Sequence, residues 1–295
     1  MTSTYLERLA ARVRATGTVL CLGIDPDPDG LPSGFSRDLA GIERFASFLL
    51  EAALPCAAAV KPNLAFFEAY GSAGVAALER LRASVPVEVP FIADAKRGDI
   101  TTTAARQAVA LFDAVGADAV TVNPYLGSDA LAPFIERLDR FAYVLCRTSN
   151  PGAGELQDLL VEAAGDDDDS PRERLHERVA RLAAGWGPGG TVGLVVGATA
   201  PDDLVRIRSI APGLPFLVPG VGAQGGAIDP VLAHGPAAVA PGAAVPGGGL
   251  LVNVSRGIAG AAGDGEGDPI ERVAAAAADW AARLPVLPLP PQSTT

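Results

Sequence analysis

Three charged residues in one short stretch, Asp94, Lys96 and Asp99, have the types and spacing that proton-transfer chemistry needs. Residues 91–100 begin apolar, as a buried strand does, and then become charged. Because side chains alternate along a strand, Asp94 and Lys96 are expected on one face. An ammonium between two carboxylates stays protonated, since opposite charges favour its charged form. Such an ammonium can donate its proton to a developing carbanion.

The same three residues also have a simpler interpretation. Asp94 and Lys96 would form an ion pair at the end of a strand, and Asp99 would cap the helix that follows. The choice between the two interpretations depends on the rest of the chain.

Eight short apolar segments alternate with predicted helices, which implies a parallel sheet. The predicted strands span 18–24, 57–60, 90–95, 117–122, 142–146, 192–196, 215–218 and 250–254. The predicted helices span 3–15, 38–54, 64–84 with a break at 71–72, 100–115, 128–138, 155–163, 171–185, 201–210, 227–233 and 268–284.

A parallel sheet of eight strands closed on itself is a (β/α)8 TIM barrel, and an open doubly wound sheet is the alternative. No Gly-x-Gly-x-x-Gly follows the first strand, which disfavours the open sheet. We therefore predict one barrel domain over 1–284, with a Gly/Pro/Ala-rich excursion at 235–249. A proline-rich tail over 285–295 is predicted to be disordered.

Composition excludes several kinds of protein. The formal net charge of -11 argues against nucleic acid as a general partner. No apolar run reaches the ~18–20 residues of a membrane span, and no signal peptide is recognisable at the N-terminus. The acidic run at 166–169 is interpreted as a solvated loop.

The cysteines and histidines point to a cytoplasmic protein without a metal site. Cys21, Cys56 and Cys146 are odd in number and widely spaced, as buried free thiols in a reducing compartment are. His176 and His234 lie in segments that resemble surface, which disfavours histidine catalysis. No Cys/His cluster has the spacing of a zinc site.

Polar residues follow the ends of the predicted strands. Active sites of such barrels lie at the carboxyl ends of the strands, so these side chains are expected to converge on one rim. They are Asp25, Lys61, Asp94, Lys96, Asn123, Ser149, Gln224 and Arg256.

Glycines after the seventh strand suggest a phosphate site. Gly220 and Gly222 leave room for a ligand to approach the backbone, and the Gln224 amide and the Arg256 guanidinium can bind an anion. A flexible loop with a surface arginine is the alternative. A mobile loop here would also be able to close over a phosphate.

Several motifs of this chain together resemble those of one enzyme family. Asp94-Ala95-Lys96-Arg97-Gly98-Asp99-Ile100 resembles the signature of orotidine 5'-phosphate decarboxylase of the longer bacterial type, type 2. The other motifs of that family follow in order across residues 18–260. These are Gly23-Ile24-Asp25, Val60-Lys61-Pro62-Asn63, Thr148-Ser149-Asn150-Pro151-Gly152, Pro219-Gly220-Val221-Gly222-Ala223-Gln224-Gly225-Gly226 and Asn253-Val254-Ser255-Arg256-Gly257.

The resemblance implies decarboxylation of orotidine 5'-monophosphate to UMP in de novo pyrimidine biosynthesis, without metal or organic cofactor. It implies that Lys96 protonates C6, that Asp94 opposes the substrate carboxylate and that Lys61 keeps Asp94 ionised. It also implies a homodimer in which Asp99 reaches the neighbouring subunit's site. The remaining substrate contacts that it implies are Asp25 to the ribose, Ser149 to the pyrimidine edge, Gln224 and Arg256 to the phosphate, and Ile100, Thr103, Asn123 and Pro219 as further binding residues.

Two alternatives remain open. The first is a Mg²⁺-dependent sugar-phosphate decarboxylase or synthase of the same barrel group, against which Lys61 and the Ser149 motif argue. The second is a non-catalytic sensor of phosphorylated ligands, against which the intact set of Lys61, Asp94, Lys96 and Asp99 argues.

Overall fold

The structure is a computed structural model that describes residues 3–162, 172–222, 224–263 and 265–287. The strands are β1 (Leu20–Ile24), β2 (Ala59–Pro62), β3 (Ile92–Arg97), β4 (Ala119–Val122), β5 (Phe141–Arg147), β6 (Leu160–Glu162), β7 (Arg172–Arg174), β8 (Val192–Val196), β9 (Phe216–Val218) and β10 (Leu251–Val254). The α-helices are α1 (Tyr5–Thr16), α2 (Leu39–Ala53), α3 (Ala65–Glu68), α4 (Gly71–Ser84), α5 (Thr101–Ala108), α6 (Ser128–Ile135), α7 (Gly154–Gln157), α8 (Leu175–Ala184), α9 (Pro201–Ile210), α10 (Ile228–His234), α11 (Arg256–Ala259) and α12 (Pro269–Arg283).

Eight of the strands form one parallel sheet in the order β2-β1-β10-β9-β8-β5-β4-β3. The two outer strands of this order also meet, through bridges between Val60 and Phe91 and between Asn63 and Asp94. The N–H of Leu64 donates to the carbonyl oxygen of Asp94 at 3.2 Å. The sheet therefore closes into a nearly complete barrel, which confirms the predicted (β/α)8 architecture over the open doubly wound sheet.

The barrel wall has an apolar layer on each side. Along β5, Phe141 and Tyr143 pack inside the barrel, whereas Val144 and Cys146 pack outward against the helices. This alternation follows from the two-residue repeat of a strand. Because both faces are buried, each strand is an apolar run in the sequence, and polar side chains appear where the strand ends.

Helix α1 closes the end of the barrel at which the strands begin. Tyr5 and Leu9 belong to the interior apolar cluster, and the hydroxyl oxygens of Tyr5 and Tyr143 lie 3.0 Å apart. Arg8 of the same helix pairs with the buried carboxylate of Asp118 at 3.0 Å. With this end filled, the interior is accessible only from the carboxyl ends of the strands.

The segment between β5 and α8 differs from the prediction. Helices are predicted over 155–163 and 171–185, but α7 is a single turn and α8 begins only at Leu175. The flanking residues form the antiparallel hairpin β6–β7, in which Val161 lies opposite Glu173. The helix predictions are therefore wrong for the residues of the hairpin. Pairing between segments that are separated along the chain leaves no periodic pattern within either segment, so the sequence does not indicate it. The acidic run 166–169 lies outside the described residues.

Two other segments refine the prediction. The helix predicted over 100–115 is α-helical to Ala108 and continues as a π-helical turn over Val109–Ala114. The excursion at 235–249 contains two short 3-10 turns, Gly242–Ala244 and Pro246–Gly249.

The tail begins as paired backbone. The N–H of Val286 donates to the carbonyl oxygen of Gly17 at 3.1 Å, and Pro285 bridges to Thr18. The prediction of disorder therefore fails for the first residues of the tail, and residues 288–295 lie outside the described part of the chain. Among the helices that the structure describes, none is both long enough and apolar enough to span a membrane.

Candidate active site

A cavity of about 530 Å³ opens at the carboxyl ends of the barrel strands. The structure brings eight of the predicted site residues to its wall. They are Asp25, Lys61, Asp94, Lys96, Ser149, Pro219, Gln224 and Arg256.

The charged side chains of the cavity give it a local excess of positive charge. Two lysines and one arginine face two carboxylates, those of Asp25 and Asp94. Among the residues that the structure describes, no carboxylate is paired with Arg256. A locally positive cavity in a chain of net charge -11 favours an anionic ligand at this position.

Asp94 lies at the centre of a hydrogen-bonded row. Its Oδ2 accepts from Lys61 Nζ at 2.6 Å, and its Oδ1 accepts from Lys96 Nζ at 2.5 Å and from Thr121 Oγ1 at 2.9 Å. The Lys61 side chain is only 5% exposed, that of Asp94 11%, and that of Lys96 49%. Lys61 is therefore a buried structural cation, whereas Lys96 extends into the space that a ligand would fill.

The charges of this row stabilise one another. Burial acts to raise the pKa of Asp94, but the ammonium groups of Lys61 and Lys96 outweigh burial and lower that pKa well below its usual range. Burial likewise acts to lower the pKa of Lys61, and the carboxylates of Asp94 and Asp25 outweigh it and raise that pKa. Asp94 and Lys61 are therefore both charged at neutral pH.

An irregularity in β3 aims these side chains. Regular pairing with β4 stops after Ala93 and resumes at Arg97, so that three residues of β3 lie opposite the single residue Thr121. Within this bulge Lys96 has φ 49°, in the left-handed region that residues with a Cβ rarely adopt. Bulges commonly redirect side chains next to active sites, and here Asp94 and Lys96 both face the cavity.

The glycine-rich segment after β9 forms the opposite wall. Gly220 has φ 95°, and a Cβ there would lie 2.9 Å from Gln224 Oε1 and 3.0 Å from Ser149 Cβ. Ser149 Oγ donates to Gln224 Oε1 at 2.9 Å. Only glycine satisfies both the backbone angle and this close approach.

Trp280 of α12 supports this wall from behind. Its ring lies 2.9 Å from where a Cβ on Gly222 would be, and its Nε1 donates to the carbonyl oxygen of Gly257 at 3.2 Å. The indole therefore packs against the glycine segment and against the residue after Arg256. Trp280 was not predicted as a site residue, because in the sequence it is an ordinary apolar position of the last helix.

Two buried oxygens in the cavity lack hydrogen-bond partners among the described residues. They are Oδ1 of Asp25 and Oδ1 of Asn253. A buried acceptor without a donor costs about 1–3 kcal/mol, so a ligand with hydroxyl or amide donors would relieve this cost. Asp25 is a predicted site residue, whereas Asn253 was not singled out.

Four predicted site residues do not line the cavity. Asp99 accepts from the N–H of Ile100 at 2.7 Å, and Ile100 itself is 60% exposed. Thr103 lines a separate groove beside α4 and α5. Asn123 caps the turn after β4, where its Oδ1 accepts from the N–H of Tyr125 at 3.1 Å. A substrate contact by Asn123 stays a prediction.

One group of side chains in the described part of the chain has the spacing of metal ligands. It comprises Asp158, His176 and Asp203, outside the cavity. His176 is buried, so its prediction as a surface residue is wrong. Arg147 pairs with Asp203 at 2.8 Å and Arg174 pairs with Asp158 at 3.1 Å. These guanidinium groups already balance both carboxylates, which disfavours a bound cation.

The sequence contains one further signal that would have found the centre of the site. Among its 23 lysine and arginine residues, only Lys61 and Lys96 are lysines, and both lie in this cavity. By contrast, Thr121 carries no such signal, because it lies inside the predicted strand 117–122 between two valines.

Comparisons with known proteins agree with this geometry. Residues 18–267 match the family model described as "Orotidine 5'-phosphate decarboxylase / HUMPS family". The chain is 46% identical over 256 residues to "Orotidine 5'-phosphate decarboxylase" of Thermomicrobium roseum, covering 86% of each chain. It is 48% identical over 257 residues to the protein of that name from Halorubrum lacusprofundi, covering 86% of this chain and 87% of the relative. Its fold is similar to "Structure of Leishmania donovani OMP decarboxylase", with a TM-score of 0.77, 38% identity and coverage of 95% and 96%.

Replacing Asp94 with asparagine removes the counter-charge of buried Lys61, and we expect the free energy of unfolding near pH 7 to fall by about 3 kcal/mol. The pKa of Asp94 is lowered in the folded state. The contribution of this carboxylate to the free energy of unfolding is therefore present above the usual aspartate pKa and is lost as the pH falls through the pKa of the folded state. Urea titrations should therefore show the difference between wild type and Asp94→Asn narrowing below about pH 4.

The matched control for this variant is Asp113→Asn, which removes a carboxylate paired with Arg137 at the surface. It should cost less than about 1 kcal/mol. A loss in Asp94→Asn no larger than in the control would contradict the compensating role of Asp94.

Proposed function

The chain belongs to the orotidine 5'-phosphate decarboxylase family and converts orotidine 5'-monophosphate to UMP in pyrimidine biosynthesis, and we propose that the row Lys61–Asp94–Lys96 performs this reaction. The observation that carries the proposal is the difference in exposure between the three side chains of this row. Two opposed charges are fixed beneath the cavity, and one ammonium is exposed to the ligand. The reaction as proposed needs no metal or organic cofactor.

The proposed chemistry places one charge at each reacting group. The bond between C6 and the carboxylate breaks, CO₂ leaves, and the electron pair stays on C6, where the pyrimidine delocalises it poorly. Lys96 stabilises this pair and donates a proton from Nζ to C6. Asp94 faces the substrate carboxylate, and their repulsion disappears as CO₂ departs. Lys61 keeps Asp94 ionised and oriented.

The remaining wall residues are proposed to hold the nucleotide. The carboxylate of Asp25, with its unpaired Oδ1, binds the ribose hydroxyls. Ser149 reads the pyrimidine edge, and Gln224 with Arg256 binds the phosphate, while Pro219 lines the pocket. Ser149 Oγ donates to Gln224 Oε1, which leaves the amide N–H groups of Gln224 and the lone pairs of Ser149 for contacts to the nucleotide.

We further propose a homodimer in which Asp99, Ile100 and Thr103 enter the partner's site. In the protomer these side chains do not line its own cavity, and Ile100 is an exposed large apolar residue. Both features suit residues that a second copy of the chain covers.

The proposed location of the reaction is the cytoplasm. Cys21, Cys56 and Cys146 are all free thiols in the structure. Burial raises the pKa of Cys21 to about 12, so this thiol is unreactive. Three free thiols suit a reducing compartment.

The variant Lys96→Ala should lose at least about 10³-fold in kcat, because it removes both the proton donor and the cation beside C6. The assay follows the ultraviolet absorbance of orotidine 5'-monophosphate in EDTA. Arg14→Ala, which removes an exposed cation on α1, is the control and should keep full turnover. Near-normal turnover by folded Lys96→Ala would remove the central claim, and loss of wild-type activity in EDTA would refute cofactor independence.

The variant Arg256→Ala should weaken UMP binding by about 10- to 100-fold, since a charge-assisted hydrogen bond to phosphate is lost. Binding of uridine, which lacks the phosphate, should not change. Calorimetric titration with the two ligands separates these outcomes, and an unchanged UMP affinity would contradict the phosphate role.

Mixing two inactive variants tests the shared site. If Asp99 acts in the partner's cavity, a heterodimer of Lys96→Ala and Asp99→Asn contains one cavity with both native residues. Random exchange of equal amounts should then restore about a quarter of the wild-type sites. Absence of recovery, although native mass spectrometry shows heterodimers, would place Asp99 outside the partner's site.

A further inference from the structure

We propose that Thr121 is a positioning residue for decarboxylation, because its hydroxyl group holds both the backbone that carries Lys96 and the carboxylate of Asp94. This inference rests on the proposed roles of Lys96 and Asp94. Thr121 lies in β4, is 2% exposed, and faces the cavity. Its strand neighbours Val120 and Val122 belong to the outer apolar layer, so Thr121 is a polar residue turned toward the interior of the barrel.

The hydrogen bonds of the Thr121 hydroxyl use its full capacity. A hydroxyl group has one proton and two lone pairs. The oxygen accepts from the N–H of Ala95 at 3.0 Å and from the N–H of Lys96 at 2.9 Å. Both lone pairs are then occupied, and the single proton is left for Asp94 Oδ1 at 2.9 Å. The direction of this bond is therefore fixed, with Thr121 as the donor and the carboxylate as the acceptor.

The first consequence concerns the backbone of the bulge. Pairing with β4 skips residues 94–96, so the N–H groups of Ala95 and Lys96 have no ladder carbonyl opposite them. The oxygen of Thr121 replaces that carbonyl for both groups. A left-handed conformation at a residue such as Lys96 costs about 1–3 kcal/mol and persists only when its surroundings impose it. Thr121 accepts two of the hydrogen bonds that hold the bulge backbone in this conformation.

The second consequence concerns the orientation of Asp94. Its Oδ2 is bound to Lys61 and its Oδ1 to Thr121, from opposite sides of the carboxylate. Lys96 shares Oδ1, and it is the partner that leaves Asp94 when it protonates the substrate. Lys61 and Thr121 therefore keep the Asp94 carboxylate in place while Lys96 donates its proton to the substrate.

The variant Thr121→Val tests this role, because valine keeps the shape and β-branching of threonine and lacks only the hydroxyl. We expect kcat to fall by about 10- to 100-fold, as misplacement of reacting groups does, with little change in KM or in UMP affinity. Thr121→Ser keeps the hydroxyl and should remain near wild type in kcat and in KM.

Three results would overturn the inference. These are wild-type kcat in Thr121→Val, equal loss in the valine and serine variants, or a loss in Thr121→Val that appears in KM and UMP affinity and not in kcat. If the valine variant does not fold, comparison of Thr121→Ala with Thr121→Ser isolates the hydroxyl again, and the alanine variant should show the same loss of kcat. Full turnover by Lys96→Ala in the same assay would refute the proposed function instead, whatever the Thr121 variants do.

Discussion

Compensation of charge around Asp94 is the constraint on which the site depends. A carboxylate removed from water is unstable unless cations and hydrogen-bond donors replace its hydration. Lys61 below Asp94 and Lys96 beside it provide the cations, and the same carboxylate stabilises Lys61 in its buried position. Folding and the proposed catalysis therefore impose the same requirement, because the charges that the proposed reaction uses are also those that compensate one another in the buried row.

The barrel meets this requirement by combining regular strands with irregular ends. Five of the barrel strands, β1, β2, β4, β8 and β9, are buried at every residue and form a packed base beneath the cavity. Departures from regular backbone occur at the rim, at Lys96 in the β3 bulge and at Gly220 and Gly222 after β9, all with positive φ. Local strain of this kind is tolerated where the surroundings over-determine it. The two irregular segments form opposite walls of one cavity.

Much of this arrangement could be predicted from the sequence. Apolar runs identified the eight barrel strands, and the polar residues at their ends identified most of the cavity wall, because parallel strands in a barrel end on the same side. The bulge could not be predicted, since strand alternation alone already places Asp94 and Lys96 on one face. Thr121 resembles any β-branched strand residue, and Trp280 any apolar helix position.

The errors have a common physical origin. His176 is buried on an amphipathic helix, and the two carboxylates that it approaches, those of Asp158 and Asp203, are distant in sequence. The β6–β7 hairpin likewise depends on pairing between separated segments. Sequence patterns reflect a residue's neighbours along the chain. The burial of His176 and the β6–β7 pairing depend instead on residues that are distant in sequence and close in the fold.

The use of lysine in this chain has a practical consequence for its chemistry. Arginine provides every basic side chain except Lys61 and Lys96, and guanidinium groups do not react with ordinary acylating reagents. Lys61 is shielded by burial, so Lys96 is the accessible ε-amine. Coupling of dyes or resins through lysine, which modifies only the surface of most enzymes, would here enter the cavity. Acylation of Lys96, located by peptide mass mapping, is thus a direct gauge of whether that cavity is occupied.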